Sequence, residues 1–414
     1  MNDQNIYAAL ELTDHEIRLV VGQFHNQRLT VLKVERVLSG GILNQNIIDQ
    51  NSVVIALKKA LDNTAKNIGS PITGVILALP SASMARFNQK ISIEVNQRIT
   101  SDDIQNAIRT AIKMPLPEHL EIVNVVVNKW FVNGVSLRRL PLDEACTSFI
   151  ADIDLLCADK ALVYQYAAIV EKAGLEIIEI SLDGFAIGKE ASLFEKSLDH
   201  YIVLMKIERQ STALSLFAKG RLMSTEVLES GTAPMIQSIS EKHNLPLEIA
   251  DRLLHYNVRL GLQKYPKSPI YLWSAENKNY TLTENDVAAL IEPQLDAWLQ
   301  NVHKAISPIL SNANVEIVLS GESADINGLS ETLSRQLGCP TSVYISETLG
   351  IRTSALAVCA GLFYVVKDQS AYRNYQSAVE NDQFSVKIKA SMGKTSPEDT
   401  LGNKFRTMFE KGKN

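Results

Sequence analysis

The sequence predicts an α/β fold built as two related halves, and three observations carry that expectation. First, a strand meander occurs twice: YAALEL, HEIRLVVGQF and LTVLKVERVLSGG from Tyr7, then YIVLMKI, STALSLFAKG and LMSTEVLESG from Tyr201. Each run alternates apolar and polar residues between turn signals, as half-buried strands do. Glycine ends the third strand in both copies, Gly40 with Gly41 in one and Gly231 in the other. Second, helix and strand patterns alternate outside the meanders, which points to an α/β architecture. Third, two stretches interrupt this order, and each has a pattern of its own.

Along the chain, Val53, Ala56, Leu57, Ala60, Leu61 and Ala65 make one face of a helix over Ser52 to Ile68, and GVILALP then reads as a buried strand. Residues 84–160 interrupt with a strand (KISIEV), a helix from Ser101 to Lys113, and two strands (IVNVVVNKWFV and TSFIADIDLL). Ser101 with Asp102 and Asp103 starts that helix, and MPLP stops it. Ala161 to Ala173 reads as a helix closed by Gly174, with LEIIEISL as the strand after it. Residues 234–309 form the second interruption, mostly helical, with a strand-like SPIYLW. Its longest helix, Asn285 to Ile306, is expected to bend or break at Pro293. VEIVLSG is a strand running into a glycine turn, and Leu329 to Leu337 is a helix stopped by Gly338.

Composition excludes several classes. The chain has 414 residues, 46% hydrophobic and 21% charged, so it is not a wholly disordered polymer. A net charge of −5 argues against a dedicated nucleic-acid binder. Its four cysteines form no C-x-x-C pair, which suits a reducing compartment. The N-terminus shows no signal-peptide pattern, and the longest apolar run, Ala355 to Val366, is too short to span a bilayer. The expectation is a soluble intracellular protein, or one that touches a membrane only peripherally. The seven histidines have no metal-ligand spacing. His243 and His255 read as solvated helix-surface residues, and neither G-x-S-x-G nor G-x-x-x-x-G-K-S/T occurs. No catalytic residue and no metal site is predicted.

The two ends of the last fifty residues differ. Residues 367–396 are polar and read as a disordered linker. Ser396-Pro397-Glu398-Asp399 then starts a helix over 397–414. Leu401, Phe405, Met408 and Phe409 span an arc of about 100°. Lys404 and Lys411 flank one edge, Arg406 and Lys413 the other, and Glu410 is the single acid from Leu401 onward. An apolar stripe edged by cations is the pattern of an interfacial membrane helix on anionic lipid; a tail helix docking on a protein groove, or a frayed tail, is the alternative. Several apolar side chains contribute burial, and each cation near such lipid adds about 1 kcal/mol. Gly402 weakens a helix that is already short, so attachment is reversible, and several tails on one polymer would firm it.

On these motifs the chain resembles the bacterial FtsA cell-division family of the actin/Hsp70-like ATPase superfamily. ALELTDHEIRLVVG resembles the first phosphate-loop strand pair. SDDIQNAI, MPLP and NVVVNKWFVNG resemble the SHS2 subdomain. AAIVEKAGLEIIEISLDGFAIG and VEIVLSGESADINGL resemble the return to the first half and the adenosine loop. The resemblance implies an actin-like, ribonuclease H-like duplicated fold. Its parts are a first core subdomain (1–83 and 161–198), the SHS2 insert (84–160), a second core subdomain (199–233 and 310–366), a helical subdomain (234–309), the linker and the C-terminal amphipathic helix.

The family's nucleotide loops need glycines to bring backbone N–H groups close to phosphate, and an aspartate in each to place Mg²⁺. Here the first turn reads Glu11-Leu12-Thr13-Asp14-His15, with Glu11 at the aspartate and Thr13 at the glycine. The second reads Lys206-Ile207-Glu208-Arg209-Gln210-Ser211-Thr212-Ala213, without glycine or aspartate. The adenosine loop keeps Gly321 but has Ser320 and Glu322 beside it. ADRLL keeps Asp251 but has Leu254 where a lysine is expected. Asp14, Glu208 and Glu322 would face a triphosphate, each costing about 4 kcal/mol near 4 Å at an effective dielectric of 20. The expectation is a degenerate nucleotide site that does not bind Mg·ATP in the usual way. The resemblance further implies a tether between the FtsZ filament and the cytoplasmic membrane face at the division site. It implies FtsZ's C-terminal peptide on 234–309, other division proteins on 84–160, and self-association into filaments. A working actin-like ATPase and a type IV pilus component are the alternatives.

Overall fold

The computed structural model describes residues 5–82, 84–275, 278–311, 314–370 and 375–379. The expected amphipathic helix, with Leu401, Lys404, Phe405, Arg406, Met408, Phe409, Lys411 and Lys413, lies outside the described residues. Two five-stranded sheets carry the duplication. The first is ordered Glu176–Leu182, Gly74–Leu79, Ile6–Leu12, Glu16–His25, Arg28–Leu38. The second is Thr341–Val343, Val315–Ser320, Tyr201–Ile207, Thr212–Ala218, Arg221–Leu228. In each, the first meander strand pairs antiparallel with the second and parallel with a later strand.

The turns repeat as faithfully as the strands. Asn26-Gln27 joins the second and third strands of one meander with both φ positive, and Lys219-Gly220 does the same in the other. That geometry matches the twist of the strands it joins. The actin-like duplicated fold is therefore present in both order and register.

A helix pair sits where the halves meet. Asp183–Glu190 packs on Ala357–Gln369, and a Cβ on Gly361 would lie 2.0 Å from the Ala186 carbonyl oxygen. Only glycine allows so close a backbone approach. The largest core spans this joint, since Ile202, Leu204, Phe217, Val318 and Phe363 of the second half join Leu10, Leu19 and Leu77. A separate core lies between the second sheet and the helical subdomain.

Residues 84–160 hold a third core under a four-stranded sheet ordered Ala85–Glu94, Ser148–Asp159, Leu120–Val132, Val135–Leu137. Its helix is Ser101–Ile112, and the N-cap is Thr100 rather than Ser101. The Thr100 hydroxyl accepts from the Asp103 N–H, and the Asp103 carboxylate accepts from the Thr100 N–H. Arg221 of the second half ties the insert down, at 2.6 Å from Asp152 Oδ2 and 3.2 Å from Asp154 Oδ1.

Three further expectations change, the first in that the helix does not break at Pro293. The long helix of the helical subdomain is continuous over Glu284–Leu310, with Pro293 and Pro308 inside it. A capping box at Thr283 and Asp286 and a buried face of Ile291, Leu295, Trp298, Leu299, Val302 and Ile306 outweigh the lost hydrogen bonds. The expected linker start at 367 is also too early. The helix runs to Gln369, and at 375–379 the chain packs again, with Ala378 and Val379 buried. The Ala378 N–H donates to the Ile6 carbonyl at 2.7 Å, and its own carbonyl accepts from the Thr73 N–H at 2.8 Å. Finally, His255 is 8% exposed rather than solvated.

Substituting Gly361→Ala should force the helix pair apart. The expected loss is about 3 kcal/mol, the upper end for overpacking, read as a lower denaturation midpoint with the fold retained.

Candidate functional site

Both first-to-second strand connections are two-residue turns. Thr13 N–H donates to the Glu16 carbonyl around Asp14-His15, and Glu208 N–H to the Ser211 carbonyl around Arg209-Gln210. None of these residues has positive φ, so neither turn requires the glycines that the family's loops carry. Turns this tight put their neighbours' side chains into the cleft between the halves.

At its centre lies Arg18, with no solvent exposure. It stands opposite Glu11 in the strand register and on the same strand face as Glu16. Its Nε donates to Glu16 at 2.5 Å, and Nη1 lies 3.1 Å from Glu11 Oε2. Nη1 and Nη2 grip both oxygens of Glu208, each at 2.9 Å, from the other half. Burial alone would lower the Arg18 pKa, but Glu208, Glu11 and Glu16 raise it further. Arg36 also holds Glu16, at 2.7 and 2.8 Å. Burial would raise the Glu16 carboxyl, yet Arg18 and Arg36 hold it down at about 2. Burial pushes Glu208 up, with Arg18 and Lys206 opposing.

A second cation joins the halves beside Arg18. Lys206 Nζ is 2.5 Å from Glu11 Oε1 and 2.8 Å from Asp183 Oδ2. Asp183 Oδ1 accepts from the N–H groups of Ser81 and Gly184 at 2.8 and 2.7 Å. Burial would lower the Lys206 pKa, but Asp183, Glu11 and Glu208 raise it overall.

The outer rim is charged as well. Gln210 N–H donates to Asp14 Oδ2 at 2.7 Å, so a carboxylate of the chain itself takes the amide of the second turn. His15 Nδ1 lies 3.0 Å from Glu322 Oε2. Burial would lower its pKa, but Asp14 and Glu322 raise it to about 9. Arg209 bridges Asp251 at 3.2 Å and Glu322 at 3.4 Å, and His255 backs Asp251 at 3.2 Å. Gly321, at φ 92, lies against Ile207, and a Cβ there would meet the Ile207 carbonyl oxygen at 2.5 Å.

Glu11, Thr13, Asp14, His15, Lys206, Glu208, Arg209, Gln210, Ser211, Asp251, Gly321 and Glu322 thus gather at one cleft. The sequence reading missed Arg18, Glu16, Arg36 and Asp183. The available signal was an arginine inside the otherwise apolar run IRLVV, which has to find acids when buried. The cavity left between Thr13, Asp14, Tyr166, Asp183, Lys206 and Glu208 is about 30 Å³, room for one or two water molecules. Among the described residues no group of three or more His, Cys, Asp or Glu side chains could hold a metal ion. The residues present fit Mg·ATP poorly on their chemistry: Asp14 takes the Gln210 amide of the second turn, and the Lys206 ammonium stands between the Glu11 and Asp183 carboxylates.

Comparison with known proteins places this cleft in context. No protein-family model matches the chain. Cell division protein FtsA of Bacillus subtilis (strain 168) is 23% identical over 369 residues, covering 87% of this chain and 83% of that protein. FtsA of Enterococcus hirae is 21% identical, with 85% and 81% covered. FtsA of Neisseria meningitidis serogroup B is 19% identical, with 87% and 90% covered. The resemblance to FtsA thus runs across most of the chain. Among solved structures, a PilM-PilN type IV pilus biogenesis complex aligns at TM-score 0.57 and 14% identity, covering 87% of this chain and 98% of that one. MreB5 of Spiroplasma citri bound to ADP aligns at 0.53 and 11%, covering 90% and 100%. These likenesses show the actin-like fold.

Replacing Arg18 with Met should leave three buried carboxylates without their shared cation. The expected loss is about 3–5 kcal/mol in urea unfolding. His15 has a raised folded pKa, so its contribution is full below pH 6.5 and is lost as pH rises through about 9. Melting temperature should therefore fall over that window, and His15→Gln should flatten the fall. An unchanged slope in the variant would remove His15 from the account.

Proposed function

We propose that the chain is an FtsA-like cell-division adaptor that tethers FtsZ filaments to the cytoplasmic membrane face without binding Mg·ATP. The observation that carries this reading is the similarity to FtsA proteins over 84–87% of the chain. Two features are consistent with it. No helix among the described residues is long and apolar enough to cross a membrane, so attachment would rest on the stripe Leu401, Phe405, Met408 and Phe409 with its flanking cations. The packed segment 375–379 would hold the start of that tail against the first sheet, so that load on the tail reaches the strand at Ile6 and the residue at Thr73. The helical subdomain, 234–309, is the proposed seat of the FtsZ C-terminal peptide. The insert, 84–160, is the proposed contact for other division proteins. Self-association into filaments would multiply the weak hold of single tails.

Vesicle co-sedimentation with FtsZ tests the reading. The full chain should pellet with anionic vesicles and carry FtsZ polymers down with it. Phe405→Glu with Phe409→Glu should abolish both, because each charge must be desolvated or held out of the acyl region. Lys404→Gln with Lys411→Gln should weaken binding moderately, on anionic lipid alone and less at high salt. A double-Glu variant that pellets like the parent would contradict the membrane role of the tail. A parent that pellets without recruiting FtsZ would contradict the adaptor role.

A further inference from the structure

Two carboxylates of the first half aim at one point, and a side chain of the second half fills it. Glu11 Oε1 and Asp183 Oδ2 both contact Lys206 Nζ, whose side chain is 11% exposed. The remaining oxygens are already used: Glu11 Oε2 faces Arg18, and Asp183 Oδ1 accepts from the Ser81 and Gly184 N–H groups. One or two carboxylates completed by water are the ordinary protein contribution to a Mg²⁺ site. Here the point that such an ion would occupy carries a tethered ammonium. Arg18 adds a second positive charge next to it, shared between Glu11 and Glu208. Together they supply +2, the charge of one divalent ion, among Glu11, Asp183, Glu208 and Glu16, the last of which Arg36 also holds.

We infer that Lys206 and Arg18 replace a divalent cation in this cleft, neutralising the acids that face each other and joining the two halves with no bound ion. A free ion and its nucleotide dissociate, and the halves can then part. A side chain cannot leave, so its effective concentration at the carboxylates is set by the fold rather than by the solution. The contact between the halves would then need no bound ligand to hold it. The inference goes beyond the division role, because the same cations would act in a chain with neither filament nor membrane partner.

The test reverses the replacement in the full-length protein, with Mn²⁺ alone as the probe. Lys206→Asp removes the ammonium, frees Glu11 and Asp183, and adds a third carboxylate beside them. Lys206→Met removes the charge at similar volume, and Lys206→Arg keeps it. Binding is read by electron paramagnetic resonance of free Mn²⁺, and folding by thermal melting with and without the ion. The parent and Lys206→Arg should show no saturable Mn²⁺ binding and no thermal shift. Lys206→Asp should bind Mn²⁺ about tenfold or more tightly than the parent and gain melting temperature from it. If Lys206→Asp or Lys206→Met folds poorly alone, Mn²⁺ should restore it. The inference is overturned if the parent binds Mn²⁺ as tightly as Lys206→Asp, if Lys206→Arg also gains binding, or if Mn²⁺ stabilises neither Lys206→Asp nor Lys206→Met.

Discussion

The guanidinium of Arg18 is removed from water on every side and is held by acids from both halves of the molecule. Moving such an ion out of water costs several kcal/mol even after relaxation, and mutual attraction offsets this only when every lone pair and proton is placed. The rest of the cleft follows from that constraint. Glu208 must reach across from the second half, Glu11 must share itself between Arg18 and Lys206, and Asp183 must complete Lys206. Arg36 takes up the second oxygen of Glu16. At the rim His15, Arg209 and His255 answer Asp14, Glu322 and Asp251 in the same way. An apolar packing of equal volume could be as stable, so net stability is not what distinguishes the cluster. Its particular contribution is orientation: one relative placement of the halves satisfies all these partners together.

Local pattern and tertiary pairing were not equally legible in the sequence. The duplicated meander is visible because strand periodicity and two-residue turns are local properties. The lost glycines at Thr13 and at Glu208-Arg209-Gln210 pointed to the right cleft for the same reason. What filled it was hidden. Arg18 looks like an interruption in a strand until its register partner Glu11 is known, and Asp183 arrives from a helix start far along the chain. Reading Asp14 and Glu322 as repulsive charges took them one at a time. In the fold Asp14 accepts an amide and Glu322 faces two cations. A break at Pro293 and a solvated His255 were misjudged in the same direction, because burial of the whole face of Glu284–Leu310 and the carboxylate of Asp251 supply what local rules say is missing.

Residues 375–379 bear on how such a molecule could work as a tether. Their composition is that of a linker, yet backbone hydrogen bonds to Ile6 and Thr73 seat them on the first sheet. The cleft lies at the other end of the same strand, at Leu12 and Thr13. A charge-locked cleft and an anchored tail root would make the body a rigid spacer, which suits the proposed role better than a cycling motor does.

The central claim is that internal charges have taken the place of nucleotide between the halves. Calorimetric titration of Mg·ATP into the purified full-length protein tests it most directly. The account predicts no heat beyond dilution and no change in melting temperature. Saturable binding at micromolar concentration, with Mg²⁺-dependent turnover, would contradict it and restore the reading of a working ATPase.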